Sequence, residues 1–512
     1  MSVAATRSAV LLAVDGHAIE VEAHVSDGLV GMQITGLADT SVGEAKDRVR
    51  AAVLNTGCLW PNKRVTVGLS PAALPKHGSG LDLAIAVSVL VADGQVPGPL
   101  DAETMWFGEL ALDGRVRPVR GVLIAALTAL RSGCRRLVVS RADVSVADLV
   151  QGLEVIGVDS LAEALNLLGG EVAEPELFSA PEPLPLDEEP RLLDFAQVRG
   201  QEPAKYALQV AAAGGHHCAM LGSPGFGKTM LAERLPTILP PLSDSAAVEV
   251  LAISSAMSGA RPRELPKVPP FAAPHHTASY VSVIGGGQAL PVIGMVTAAH
   301  RGVLFLDEAP EFAVNVLDAL RQPLESGRVV ISRRTFNLEL PARFQLIVAA
   351  NPCPCGHAMD KNPRCSCTPA TRRRYLGRIS GPLLDRIDIR LKVGQPSVAD
   401  LDFGAPAGRS SAELREEVCE ARARAAVRLR DTKWNTNAEV PGPAMRELFP
   451  LPPAAGHELH RLLRAVPGSA RGVDRIARLA WTVCDLRGGE TPTPEDVARA
   501  VELRNVSGEW PA

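Results

Sequence analysis

Residues 222–229 read G-S-P-G-F-G-K-T, a full match to a glycine, four variable residues and Gly-Lys-Ser/Thr. An apolar run, C-A-M-L, precedes it, and M-L-A-E-R-L follows. A strand, a glycine loop and a helix in that order belong to a parallel sheet covered by helices. Gly222, Gly225 and Gly227, with Ser223, Pro224 and Phe226 between them, let the loop turn its N–H groups inward onto phosphate oxygens. The following helix N-terminus adds positive potential there. In such a loop Lys228 reaches the β- and γ-phosphates of ATP and Thr229 ligates Mg2+. A chance glycine loop is the bland alternative, and the flanking strand and helix argue against it.

Downstream, V-L-F-L-D-E at 303–308 reads as a buried strand ending in two carboxylates. Asp307 is placed to hold Mg2+ through water and Glu308 to polarise the attacking water. A third apolar strand, Q-L-I-V-A-A-N, ends at Asn351, whose amide can orient that water. Arg386, in G-P-L-L-D-R-I-D, suits either of two roles. It can neutralise a neighbouring subunit's γ-phosphate, or it can pair with Asp385 or Asp388. Position alone does not choose.

A chain of 512 residues suits two to four domains. Alternation of strand-like and helical runs places a nucleotide-binding core at 191–395, with a mixed α/β segment at 1–170 before it. Between them, 171–190 carries seven acids, five prolines and no base, which predicts an extended linker. A softer linker at 396–411 leads to 412–512, where the periodicity is helical throughout. The net charge of −4 excludes an overall basic footprint, so any DNA contact must come from local patches. The leading apolar run is too short for a secretion signal, and the apolar stretch at 81–92 is too short to span a bilayer. The expectation is a cytoplasmic protein.

Four of the nine cysteines, Cys353, Cys355, Cys365 and Cys367, crowd into 351–367. In a reducing compartment such clustering favours metal over disulfide, and four thiolates can close a tetrahedral zinc site. His357 is an alternative ligand, and four reduced thiols are the bland reading. Such a zinc would be structural: a staple on a segment without its own core, beside Asn351. The remaining cysteines read as packing residues. Between Lys361 and Arg390 eight Lys/Arg face only Asp385 and Asp388, a basic run suited to DNA or to the next subunit.

The phrases P-H-H-T-A-S at 274–279, G-V-L-F-L-D-E-A-P-E-F at 302–312, L-R-Q-P-L-E at 320–325, N-P-C-P-C-G at 351–356, Y-L-G-R-I-S-G-P-L-L-D-R-I-D at 375–388 and G-S-A-R-G-V-D-R-I at 468–476 resemble signatures of the magnesium-chelatase-like AAA+ ATPases, specifically the YifB/ComM family. The likeness covers nearly the whole chain. It implies a multidomain α/β protein with a Lon-protease-like (ribosomal S5 domain 2-like) N-terminal domain, an AAA+ core and a C-terminal helical lid. It implies Lys228 and Thr229 as the Walker A pair, Asp307 and Glu308 as Walker B, Asn351 as sensor 1 and Arg386 as the arginine finger. Arg471 best matches the sensor 2 arginine, with Arg475 its competitor. ATP and Mg2+ follow as cofactors and a homohexamer as the assembly.

By likeness to the minichromosome-maintenance helicases, Arg333 and Arg334 fall at the tip of a pore hairpin that touches DNA; alone they read as solvated turn residues. The N-terminal stretch P-K-H-G-S-G-L-D-L-A-I-A resembles the loop carrying Lon's nucleophile. In that register Gly80 takes the serine position, with Ser79 one residue early, and Leu123 takes the lysine position, so no peptidase is expected. The implied function is an ATP-dependent DNA motor of the branch-migration type, in recombination or natural transformation. The alternatives are a metal-insertion ATPase subunit and a chaperone, for which Tyr280 is the single aromatic pore candidate.

Overall fold

The computed structural model describes residues 3–36, 40–72, 74, 76, 78–174, 193–258, 264–287, 292–332, 337–360, 364–395, 408–464 and 470–504. Most of both expected linkers, and Arg333 and Arg334, lie outside the described residues. The chain forms two compact units, Met1–Glu188 with Asp244–Pro266, and Glu189–Ser243 with Lys267–Ala512. No helix among the described residues is long and apolar enough to cross a membrane.

The first unit is built on a seven-stranded mixed sheet. Its strands lie in the order Gly31–Thr35, Arg64–Ser70, Asp15–Ser26, Val3–Leu12, Thr104–Trp106, Arg136–Ser140, Glu154–Val158. Along Asp15–Ser26 the residues Ile19, Val21, Ala23 and Val25 are buried while Glu20, Glu22 and His24 are exposed, the two-residue period of a sheet with one wet face. The apolar stretch near 81–92 becomes the helix Asp82–Ala92, buried on nearly every side against that sheet. Its first residue, Asp82, is a buried carboxylate held by Arg48 through Nε–Oδ2 (2.8 Å) and Nη2–Oδ1 (3.1 Å). Burial pushes its pKa up to about 6 against the opposing pull of Arg48.

The helix Asp244–Ser258 joins this first unit, although in sequence it falls inside the segment read as nucleotide-binding core. Leu251 and Ala252 are buried with Leu123, Ile124 and Ala125 of the helix Val122–Arg131. An Ala-rich amphipathic helix carries no label for its partner face, so sequence gave no sign of this excursion. Leu123 is wholly buried in that cluster. At Gly80 a Cβ would fall 2.5 Å from Cε2 of Phe107, so a serine there would collide with the ring. Ser79 instead hydrogen-bonds Glu109.

The second unit holds a five-stranded sheet, wholly parallel, in the order Phe271–Ala272, Val303–Leu306, Gln345–Ala350, Cys218–Leu221, Ile389–Lys392. Chain order and spatial order therefore diverge at Cys218–Leu221, the first strand, which is flanked by the fourth and fifth. Crevices at the carboxyl ends of such strands are where α/β sheets bind ligands. Met220, Phe305, Ile347 and Ile389 share one core with Leu414, Val418, Leu479 and Val483 of the helices Ser411–Leu429 and Ala470–Arg487. The helical C-terminal segment is thus part of this unit. Polar ties reinforce it. Asp194 accepts from the Ser411 N–H at 3.1 Å, and Arg422 donates to the Ala212 carbonyl at 2.7 Å, at the C-terminal end of the helix Glu202–Gly214. His216 bridges Asp388 (2.9 Å) and Thr482 (2.7 Å) in the interior.

Candidate active site

The strand Cys218–Leu221 runs directly into the phosphate loop, and the helix Lys228–Ile238 leaves it. Gly225 and Gly227 take φ of +79° and +85°, the left-handed region that glycine enters without cost. A Cβ on Gly222 would fall 2.6 Å from the Val393 carbonyl oxygen, so the loop's start also requires glycine. Gln201 Nε2 donates to the Phe226 carbonyl (3.3 Å) and the Gly394 carbonyl (2.6 Å), pinning the loop from outside.

Lys228 Nζ is buried and donates to the carbonyls of Gly222 (2.6 Å) and Ser223 (3.0 Å) and to Asn351 Oδ1 (3.1 Å). Burial lowers its pKa from the usual lysine value, while Asp307 and Glu308 pull the other way. Thr229 Oγ1 donates to Asp307 Oδ2 at 2.6 Å. A hydroxyl and a carboxylate converging at the phosphate loop are the hard oxygen donors that Mg2+ takes, so this pair fits the metal of a Mg–ATP complex. The five residues read from three separate motifs, Lys228, Thr229, Asp307, Glu308 and Asn351, therefore meet at the carboxyl ends of three adjacent strands.

Glu308 has φ of +50°, a strained conformation for a residue with a side chain. His276 faces it, with Nδ1 3.4 Å from Oε2. The His275 ring packs on His276 with centroids 4.2 Å apart. In P-H-H-T-A-S at 274–279 nothing local marks His276 for a role at the site. The signal was its place just beyond the short strand Phe271–Ala272, which adjoins Val303–Leu306.

Arg386 follows the short helix Gly381–Leu384. It pairs with Glu325 and donates to the Pro382 carbonyl at 2.6 Å. The partner is thus neither Asp385 nor Asp388. Those two carboxylates face the helix Ala470–Arg487. Arg475 is largely buried, its Nε 3.0 Å from Asp388 Oδ1, whereas Arg471 is 78% exposed, its Nη1 3.9 Å from Asp385 Oδ2. Tyr280 is exposed at the start of the short helix Tyr280–Ile284. The antiparallel hairpin Arg328–Ser332 with Asn337–Pro341 precedes the Asn351 strand, and Arg333 and Arg334 come between its two strands in sequence.

The ligand atoms of Cys353, Cys355, Cys365 and Cys367 all lie within 4.8 Å of one another. The sulfur separations are 3.3 Å (353–355), 3.4 Å (355–365) and 3.6 Å (353–365). A tetrahedron with Zn–S of about 2.3 Å has edges of about 3.8 Å, so the four sulfurs already approximate a tetrathiolate cage. His357 is turned to Asp360, Nδ1–Oδ2 2.7 Å.

Three family models match the chain: magnesium chelatase, subunit ChlI, over residues 194–401; subunit ChlI of Mg-chelatase over 21–143; and magnesium chelatase, subunit ChlI C-terminal, over 408–504. Among relatives, the uncharacterised protein Rv2897c of Mycobacterium tuberculosis is 45% identical over 494 residues, 96% of each chain. YifB of Escherichia coli is 38% identical over 508 residues, 99% of this chain and 97% of its own. Competence protein ComM of Haemophilus influenzae is 37% identical over 515 residues, 98% of both. A magnesium-chelatase-like AAA+ domain makes the chain an ATPase by family, and over nearly its full length it belongs to the YifB/ComM family.

Proposed function

We propose that this chain is a cytoplasmic, ATP-driven motor that acts on DNA as a homohexamer and performs branch migration in recombination or natural transformation. Lys228 and the loop Gly222–Thr229 hold the ATP phosphates, and Thr229 and Asp307 hold Mg2+. Glu308 polarises the attacking water, Asn351 orients it, and Arg386 of one subunit completes the site of the next. Arg471 is the lid arginine, because Arg475 is already committed to a buried carboxylate. When bound, Mg2+ neutralises charge on the β- and γ-phosphates.

The observation that carries the DNA reading is the hairpin Arg328–Pro341, set immediately before the sensor strand, with Arg333 and Arg334 between its strands in sequence. Two arginines adjacent in sequence between paired strands can grip a phosphate backbone without a basic net charge. The likeness to a competence protein adds to it. The first unit serves as scaffold or second nucleic-acid surface, since a serine at Gly80 would collide with Phe107 and Leu123 cannot take a proton as a lysine would. The cysteine cluster is a structural zinc site.

A synthetic four-way DNA junction tests the reading. ATP-dependent branch migration, and DNA-stimulated hydrolysis that disappears when both arginines become alanine, are expected. Intact basal hydrolysis with no response to DNA would sink it, and stimulation by a porphyrin with partner subunits would favour the chelatase alternative that the family models suggest.

A further inference from the structure

The cysteine cluster is built against the phosphate loop. Gly356, between Cys355 and His357, turns with φ of +81°. A Cβ there would fall 2.7 Å from Cδ and Cγ of Pro224, a residue of the phosphate loop. Asn351, two residues before Cys353, accepts from Lys228. The segment Asn351–Asp360 thus meets Pro224 and Lys228. Along it only Pro352 and Cys353 offer buried apolar side chains. Burial alone gives such a segment little reason to keep one shape.

We propose that the four cysteines bind one zinc ion as thiolates and that the metallated knuckle buttresses the phosphate loop, so that zinc loading sets ATP affinity. This rests on the reading of the cluster as a zinc site. On binding, four thiols release four protons and the Zn(S)4 unit carries two negative charges. The protein already supplies donors for them. Arg372 Nη2 lies 3.4 Å from Cys365 Sγ and its Nε donates to the Cys367 carbonyl at 3.2 Å. The Cys367 N–H lies 3.4 Å from Cys365 Sγ. Such outer contacts orient thiolate ligands and offset their charge. The zinc would do no chemistry: it would fix where Gly356 and Asn351 stand.

The test uses the full chain and two independent measurements. Elemental analysis should find about one zinc per chain in native protein and little in Cys355→Ser. Affinity for a fluorescent ATP analogue should fall about tenfold when a chelator strips the metal, return on adding zinc, and fall similarly in Gly356→Ala, which keeps its zinc. Far-UV circular dichroism checks that each form remains folded. Metal-free native protein, or iron in place of zinc, would overturn the metal assignment. Zinc-loaded protein whose affinity is unmoved both by stripping and by Gly356→Ala would overturn the buttress and leave the zinc site standing.

Discussion

His276 and Glu308 face each other beyond the carboxyl ends of two adjacent parallel strands, imidazole Nδ1 3.4 Å from carboxylate Oε2. Phe271 lies beside Val303 and Ala272 beside Leu304, and the segments that leave these two strands converge at His276 and Glu308. With His275 packed on its ring, His276 holds the carboxylate of a residue whose backbone is already strained. His276→Ala should therefore lower kcat for ATP hydrolysis about tenfold and leave KM for ATP nearly unchanged, with partial recovery in His276→Asn. Steady-state kinetics decides. If KM and thermal stability move with kcat, the histidine is merely structural.

Glu308 and Lys228 should separate chemistry from binding. Glu308→Gln leaves Lys228, Thr229 and Asp307 in place, so nucleotide binding should persist while turnover falls by about 10²–10⁴. Lys228→Ala removes the buried ammonium that now satisfies two loop carbonyls and Asn351, and should lose nucleotide affinity itself. Equilibrium binding measured beside single-turnover hydrolysis distinguishes the two outcomes.

The nucleotide pocket was legible because each of its parts is local. The glycine pattern of the phosphate loop, two carboxylates at one strand end and an amide at another can be read within a few residues, and a parallel sheet brings strand ends together. The strand order, with Cys218–Leu221 between Gln345–Ala350 and Ile389–Lys392, follows from long-range pairing that no local stretch encodes. The same holds for the partner of Arg386. Asp385 and Asp388 are neighbours in sequence, yet the short helix Gly381–Leu384 turns the side chain towards Glu325. The path of Asp244–Ser258 into the first unit was likewise invisible, because its apolar face would suit either core.

Arg386 gives a prediction about assembly. Its guanidinium, 22% exposed, pairs with an exposed Glu325, a contact worth at most about 1 kcal/mol. Glu325→Ala should scarcely change stability. Arg386→Ala should keep ATP binding and lose turnover by about 10³, as expected when an arginine stabilises transferring phosphate. Mixing Arg386→Ala with Glu308→Gln protomers should restore part of the activity. Composite sites would then combine an intact Glu308 with an intact Arg386. Activity that stays at the level of either variant alone, in protomers shown to co-assemble, would place the arginine outside a shared site.

His217 makes the second unit sensitive to mild acid. Its Nδ1 accepts the Leu346 N–H at 3.0 Å, joining the foot of the phosphate-loop strand to the Asn351 strand, and only the unprotonated ring can accept. Burial pushes its pKa down to about 4, with His216 and Arg475 adding to the effect and Asp388 opposing it. The unfolded chain takes up this proton near pH 6.5, so between about 6.5 and 4 it binds more protons than the folded one. Stability from this group is therefore complete above pH 6.5 and is lost as pH falls through that window, by up to about 1.4 kcal/mol per pH unit. Hydrogen exchange at the Leu346 amide, corrected for its intrinsic pH dependence, reports it locally. Protection should decline from pH 6.5 towards 4.5 in the native chain. In His217→Asn that slope should be absent, and an unchanged slope would assign the acid sensitivity to other groups.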